Sequence, residues 1–206
     1  MRHHSLFNTL SQYTRQKNLQ RGRILHAHII ETASSSCIYL ANSLVNFYAK
    51  CGHLLEARLV FEQIQDKDLV SWNCLLNGYS QQGLKGSSLV MELFQRMRAE
   101  NAFPDARTFA GVFTAASNLL DASGGRQAHV LVVKTACFSD VFVGSSLLNM
   151  YCKVGLIYEA RKVFDRMPER NSVSWATMIS GYATQRLAGE ALGIFESMRW
   201  EEEGCE

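Results

Sequence analysis

The sequence repeats itself at one fixed distance along most of its length. Trp72 recurs as Trp175, which lies 103 residues later. The segment NSLVNFYAKCG, which starts at Asn42, recurs as SSLLNMYCKVG from Ser145, and GRILHAHIIETA recurs as GRQAHVLVVKTA, all at the same distance. A constant spacing without gaps means that the chain holds two copies of one long unit. Repetition over tens of residues is typical of solenoids and arrays.

Each long unit divides further into pairs of amphipathic helices. After Gly52, the residues Ala57, Val60, Phe61 and Ile64 follow the i, i+3, i+4, i+7 spacing of a helix with one apolar face. These stripes predict a helix–helix core and require no cofactor. Since one helix pair cannot bury its apolar face alone, we predict an all-α fold, a right-handed α-α superhelix of helix-turn-helix repeats. The predicted repeats are residues 3–37, 38–68, 69–105, 106–140, 141–171 and 172–206.

Composition argues against several other classes of protein. The net charge of +2 gives no strong electrostatic footprint for nucleic acid. The six cysteines form no C-x-x-C pair, which indicates reduced core thiols and no zinc site. No apolar run is long enough to span a membrane, and no leader sequence for an organelle is visible. We therefore expect no metal, no cofactor and no membrane partner.

The order and the amino-acid sequences of the repeats resemble those of a known family. The segments NSLVNFYAKCGHLLEARLVFEQIQDKD and SSLLNMYCKVGLIYEARKVFDRMPERN resemble the short repeat of the pentatricopeptide repeat family, in its plant type with alternating long, short and standard repeats. The segment from LVSWNCLLNGYSQQG resembles the standard repeat, and RTFAGVFTAASNLLDASGGRQAHVLVVKTACFSD resembles the long one. A tetratricopeptide array fits less well, because its period is constant and a Gly is expected where Leu76 stands.

This resemblance implies that each repeat reads one nucleotide of single-stranded RNA through two residues. One lies in the first turn of the first helix, and the other is the last residue of the repeat. The first two pairs below resemble the family's uridine-reading pair and the third its adenosine-reading pair, which predicts the target U, U, any base, A. The alternative for each residue is an ordinary helix-capping role. Carried over by position, the pairs are Asn42 with Asp68, Asn73 with Asp105, and Ser145 with Asn171.

Two further sets of residues follow from the same resemblance. The family places the second residue of each repeat against the face of a base, although packing against a neighbouring repeat is the alternative for these side chains. Exposed lysines before the helix break would approach phosphates, or would only complement a helix C-terminus. The base-contacting candidates are Tyr39, Val70, Phe142 and Val173, and the phosphate candidates are Lys50 and Lys153.

The resemblance also implies a biological setting. We expect a sequence-specific RNA-binding protein that acts in transcript editing or RNA processing in a mitochondrion or chloroplast, with the mitochondrion favoured by the resemblance alone. No H-x-E or C-x-x-C motif is present, so we expect no enzymatic activity and a deaminase supplied in trans by editing-complex proteins. The last repeat lacks a polar cap, which predicts self-association. The alternatives are a protein-interaction scaffold of an editing complex and a truncated array without a ligand.

Overall fold

The computed structural model describes residues 2–32, 37–135 and 137–203, and within these ranges the chain is helical and contains no β-strand. The chain divides into two compact units, Met1–Phe103 and Pro104–Glu206. The division falls at the period of the sequence repeat, so each unit holds one copy of the long unit. The predicted all-α architecture is therefore confirmed.

Each unit contains three helical hairpins, in which a first helix is followed by a second. The helices of the first unit are α1 (Arg2–Gln16), α2 (Leu19–Glu31), α3 (Ile38–Lys50), α4 (Leu54–Gln63), α5 (Leu69–Ser80) and α6 (Leu84–Ala99). Those of the second are α7 (Ala106–Leu119), α8 (Ala122–Lys134), α9 (Val141–Lys153), α10 (Ile157–Arg166), α11 (Ser172–Thr184) and α12 (Ala188–Glu203), with a short 3-10 helix at Cys137–Ser139.

In three of the hairpins, the first helix begins at a reciprocal capping box. In each box the side chain of the N-cap residue accepts a hydrogen bond from the backbone N–H three residues later, and the hydroxyl of that later residue accepts one from the N-cap N–H. These bonds satisfy backbone donors that the helix itself leaves unpaired, which sets the start of the helix. The boxes pair Asp68 with Ser71, Asp105 with Thr108, and Asn171 with Ser174.

Glycines at the helix breaks close two of the hairpins. Gly52 follows α3 with φ of 81°, and Gly155 follows α9 with φ of 80°. This left-handed conformation is costly for residues with a Cβ and easy for glycine, so the chain reverses there. The Gly breaks that divide the sequence pattern are thus the turns between helices.

The cores of the two units are built from equivalent contacts. In the first unit α3 packs against α1, α4 and α5, and in the second α9 packs against α7, α10 and α11. Trp72 meets Phe61 edge to face with ring centroids 4.9 Å apart, and Trp175 meets Phe164 at 4.8 Å. Such contacts add to the burial of large aromatic surfaces. The repeated tryptophans therefore tie the second helix of one hairpin to the first helix of the next.

The predicted apolar stripes are buried or half-buried, except at Phe195. Phe195 of α12 is 44% exposed, whereas Ile194 beside it is buried. The described part of the chain covers α12 mainly through α11, which reaches only one side of the helix. Phe195 is therefore an apolar side chain that the described residues leave exposed.

The cysteines and histidines have mainly structural surroundings. Five cysteines are free, partly buried thiols, so they border the core and do not fill it; Cys205 lies outside the described residues. His26 Nδ1 lies 2.9 Å from the Tyr48 hydroxyl, and His129 repeats this contact with Tyr151. Burial lowers the pKa of both histidines. Among the described residues, no helix has the length and hydrophobicity needed to cross a bilayer.

Candidate nucleic-acid interface

One face of α3, and the equivalent face of α9, carries candidate residues as a narrow stripe. On α3 this stripe consists of Tyr39, Asn42, Asn46 and Lys50, whose spacing of three, four and four residues keeps them within one side of a helix. Tyr39 and Lys50 are exposed, Asn46 is half-buried, and Asn42 is 6% exposed. The corresponding stripe on α9 consists of Phe142, Ser145, Asn149 and Lys153.

The structure brings Asn42 and Asp68 together, as the resemblance predicts. Because α3 packs against α5, the N-cap of α5 comes beside the second turn of α3. The Asn42 Nδ2 donates a hydrogen bond of 3.0 Å to Asp68 Oδ1. Asp68 also accepts the Ser71 N–H at 2.8 Å, so it caps a helix and orients an amide at the same time. The capping role and the reading role are compatible at this residue.

The surroundings of Asp68 keep it ionised. Partial burial acts to raise the pKa of Asp68, but hydrogen bonds from the Ser71 N–H and the Asn42 amide outweigh it, so the pKa lies below its ordinary value. An ionised carboxylate only accepts hydrogen bonds. The amide nitrogen of Asn42, and not its oxygen, must therefore face Asp68.

The equivalent pair in the second unit is arranged differently. Ser145 is 8% exposed, and its Oγ is buried without a hydrogen-bond partner. Asn171 Oδ1 accepts the Ser174 N–H at 2.9 Å, which is the capping bond. The serine side chain is too short to make the bridge that Asn42 makes. In this structure the Ser145 hydroxyl therefore has no contact with Asn171 and no exposed surface for a base.

The remaining predicted pair, Asn73 with Asp105, is divided between the two units. Asn73 lies partly buried on α5 of the first unit. Asp105 is the N-cap of α7 in the second unit and accepts the Thr108 N–H at 2.9 Å. Both residues are polar, and neither side chain is fully buried, which is compatible with contact to a base. Their assignment as a reading pair stays a prediction.

The second residues of the four repeats are large apolar side chains that project into solvent. Their exposure is 76% for Tyr39, 54% for Val70, 72% for Phe142 and 58% for Val173. The alternative that neighbouring repeats bury them is therefore wrong within each unit. Exposed aromatic rings cost free energy in water and are well suited to stack on bases.

The two lysines end the stripes. Lys50 and Lys153 are exposed in the last turns of α3 and α9. A cation at this place complements the partial negative charge of a helix C-terminus. Because their ammonium groups also face solvent, they remain available to a phosphate.

Sequence reasoning missed Ser71 and the asparagines in the middle of the stripes. Ser71 donates a hydrogen bond of 2.7 Å from its hydroxyl to Asn42 Oδ1. The sequence shows a capping-box pattern at Ser71 that recurs at Ser174, and this pattern indicates a structural role at the helix start. It does not indicate the contact with Asn42. Asn46 and its counterpart Asn149 follow the reading position by one helical turn, and that spacing alone would have found them.

The described residues hold no group of three or more His, Cys, Asp or Glu side chains that would bind a metal ion. The titratable side chains on the stripes are few and separate. What the stripes offer is a set of amides, hydroxyls, aromatic rings and single cations. Such groups can hydrogen-bond to and stack on an extended polar ligand.

Comparison with known proteins agrees with these features. The PPR repeat model matches residues 39–69, 70–101, 145–172 and 173–202, which is more than half of the chain. The pentatricopeptide repeat-containing protein At2g33680 of Arabidopsis thaliana is 51% identical over 178 residues, which cover 86% of this chain and 24% of the relative. At3g24000, mitochondrial, from the same plant, is 39% identical over 193 residues, covering 93% of this chain and 30% of the relative. The chain thus spans about a quarter of the length of these relatives.

Solved structures resemble the fold as well. The crystal structure of the pentatricopeptide repeat protein PPR10 from maize superposes with a TM-score of 0.70 at 21% identity, covering 96% of this chain and 29% of that one. PPR10 in complex with an 18-nt psaJ RNA element gives a TM-score of 0.67 at 21% identity, covering 94% and 29%. This likeness confirms the predicted solenoid class of helical hairpins. With its repeats, its hairpins and these matches together, the chain belongs to the pentatricopeptide repeat family.

Proposed function

We propose that this chain binds single-stranded RNA, with one base contacting each repeat along the stripes of the first helices. The observation that carries the proposal is the Asn42 amide, which Asp68 holds three residues after the exposed ring of Tyr39 on the same helix. An amide with a fixed orientation distinguishes the edges of bases, and an exposed ring stacks on their faces. PPR10, which shares the fold, is described in complex with RNA.

Asn42 offers only a small part of its surface to a ligand. Its exposed fraction is 6%, so a base must approach edge-on, which is the approach that hydrogen bonding to a base edge requires. In the repeat 141–171 the contact falls to Asn171, which is half-buried, because the Ser145 hydroxyl is covered. Asn73 and Asp105 keep the assignment that the resemblance gives them. The proposed target remains U, U, any base, A.

Affinity in this proposal comes mainly from bases. The net charge is +2, and the stripe cations on α3 and α9 are the single residues Lys50 and Lys153. Each phosphate that a cation neutralises adds to the salt dependence of binding. We therefore expect a shallow decrease of affinity with salt, unlike that of a strongly basic RNA-binding protein.

The biological role that we propose is transcript editing or RNA processing in a plant organelle. Relatives named as mitochondrial and as chloroplastic both match this chain, so the choice of organelle stays open. We assign the repeats to the subfamily with alternating long, short and standard repeats on the sequence pattern of 38–68 and 141–171. We further propose that the chain is not an enzyme and that a partner protein supplies any deaminase.

Binding to short RNAs tests the proposal. An RNA containing UUNA is compared with a scrambled RNA of the same composition and with DNA of the same sequence, using fluorescence anisotropy. We expect the tightest binding for the UUNA RNA. Equal affinities for the UUNA and scrambled RNAs would show that the stripes do not read bases.

A protein-interaction scaffold is the second candidate. On α4, Leu55 and Leu59 are 78% and 64% exposed, and they occupy positions where α10 has Tyr158 and Lys162. Adjacent exposed leucines on a helix favour contact with a protein. Pulldown with and without ribonuclease separates the candidates, since a protein bound directly to the chain remains after the RNA has been digested.

A further inference from the structure

We propose that Ser71 is a positioning residue that makes the repeat 38–68 prefer uridine over cytidine. It belongs to the following repeat, on α5, yet it holds the reading amide of Asn42 on α3. This inference rests on the proposed RNA-binding function and adds a third member to the reading pair of Asn42 and Asp68.

The two ends of the Asn42 amide are held by different groups. Asp68 accepts from Nδ2 at 3.0 Å, and the Ser71 hydroxyl donates to Oδ1 at 2.7 Å. The hydroxyl has a single proton, and its other acceptor within reach, Asp68 Oδ1, is farther at 2.9 Å and already accepts two hydrogen bonds. Donation to Asn42 is therefore favoured. Ser71 is fully buried, so water does not compete for this bond.

The Ser71 hydroxyl also accepts a bond, which closes the arrangement. The backbone N–H of Asp68 donates to Ser71 Oγ at 3.3 Å. Ser71, Asp68 and Asn42 thus form a ring of hydrogen bonds in which each donor faces an acceptor. Rotation of the amide plane about a single bond to Asp68 would be possible without Ser71, whereas two bonds at opposite ends prevent it.

This arrangement leaves a defined pattern for a base. An amide nitrogen has two hydrogens and its oxygen accepts two bonds, so one donor and one acceptor of Asn42 remain. Side by side, they complement the carbonyl oxygen O4 and the N3–H of uridine. Cytidine presents an acceptor at N3 and an amino group beside it, so it requires the amide turned by half a rotation. That rotation breaks both bonds and points the Asn42 oxygen at the Asp68 carboxylate.

The second unit offers a matched control. Ser174 occupies the same capping box, with Asn171 N–H donating to its Oγ at 3.0 Å. Its hydroxyl donates to the Asn171 carbonyl oxygen at 2.8 Å, because Ser145 provides no amide at this place. Ser174→Ala therefore removes an equivalent hydroxyl from an equivalent helix start without releasing a reading amide.

The test compares Ser71→Ala, Ser71→Thr and Ser174→Ala with the wild-type chain. Two RNAs are used that differ only by U or C at the first position of UUNA, and the ratio of the two dissociation constants is measured. We expect Ser71→Ala to lower the preference for U about fivefold, the factor that one net hydrogen bond of about 1 kcal/mol supplies. Ser71→Thr should retain the preference, since Thr108 forms the same kind of capping box. Ser174→Ala should leave the ratio unchanged.

The outcomes separate this inference from the proposed function. An unchanged ratio in Ser71→Ala, or an equal loss in Ser174→Ala, overturns the role of Ser71. If the wild-type chain binds neither RNA, the proposed function fails, and the inference is judged on the free protein by NMR. There, solvent exchange of the Asn42 side-chain amide protons should accelerate in Ser71→Ala and stay the same in Ser174→Ala; unchanged exchange in both variants overturns the inference.

Discussion

The repeats 38–68 and 141–171 share a backbone design and differ in one side chain at the centre of the candidate site. In the first, Asn42 reaches across to Asp68 and Ser71 and is bonded to both. In the second, Ser145 stops short, and its buried hydroxyl has no partner. The capping boxes that begin α5 and α11 are nevertheless alike.

This difference shows that the scaffold and the reading position are separable. The hairpins depend on the capping boxes, the Gly turns and the Trp–Phe contacts, all of which recur in both units. The residue in the second turn of the first helix is not needed for any of these. This residue can therefore differ between repeats that bind different bases. Its effect on stability depends on whether its polar atoms form hydrogen bonds.

The largest expected difference between the units concerns a glycine in each second helix. A Cβ at Gly22 would overlap the ring of Phe47, whereas one at Gly125 would lie 2.6 Å from Met150 Sδ. Overpacking against the buried ring costs about 1–3 kcal/mol or more, whereas alanine in a helix gains about 1 kcal/mol over glycine. The flexible end of Met150 retreats more easily.

We therefore expect Gly22→Ala to lower the free energy of unfolding by about 1–2 kcal/mol and Gly125→Ala to be nearly neutral. Urea denaturation of the two variants measures both values. Equal losses of unfolding free energy would mean that Met150 yields to an added Cβ no more easily than Phe47 does, which would contradict this prediction.

A smaller difference is expected from truncating the reading residues. Asn42→Ala removes one hydrogen bond from the partly buried Asp68 and one from the buried Ser71, which costs about 1–3 kcal/mol. Ser145→Ala removes a buried hydroxyl that has no hydrogen bond, so its stability should be unchanged or slightly higher. Thermal denaturation of both variants checks this ordering. A clear loss in Ser145→Ala would indicate that its hydroxyl has a partner after all.

The smallest expected effect is a pH dependence at Asp68 that its counterpart in the second unit, Asn171, lacks. The pKa of Asp68 is lower in the folded chain than its ordinary value of 3.8, so its contribution is complete above that value and is lost as the pH falls through the folded pKa. Asn171, its counterpart, does not titrate. The stability difference between wild type and Asp68→Asn should therefore shrink as the pH is lowered below about 4. A difference that stays constant over that range would contradict the role of the ionised carboxylate.

Much of the fold could be predicted from the sequence because it depends on local patterns. The helical stripes that include Trp72 and Trp175, and the breaks at Gly52 and Gly155, recur at one spacing and fix the hairpins. Apolar periodicity and turn residues act within a few positions of the chain, so they can be identified without coordinates. Phe195 departs from the pattern because the periodicity of a helix does not indicate which faces neighbouring elements cover.

The candidate site was less predictable because it depends on contacts between repeats. The pairing of Asn42 with Asp68 followed from the family resemblance, but the bond from Ser71 depends on how closely α3 and α5 approach. The burial of the Ser145 hydroxyl likewise results from packing around α9. The sequence also could not show whether Tyr39 and Phe142 are exposed or buried by a neighbouring repeat. Contact with a base and packing between repeats both place an aromatic residue at a helix start.

The central claim is that one first helix reads one base, and exchanging a single reading residue tests it most directly. Selection from a randomised single-stranded RNA pool is carried out with the wild-type chain and with Asn42→Ser, which places in the first short repeat the residue type that the second has at this position, Ser145. We predict that uridine enrichment disappears at one position and that the other positions keep their preferences. Absence of any enriched position in the wild type, or an equal change at all positions in the variant, would contradict the account.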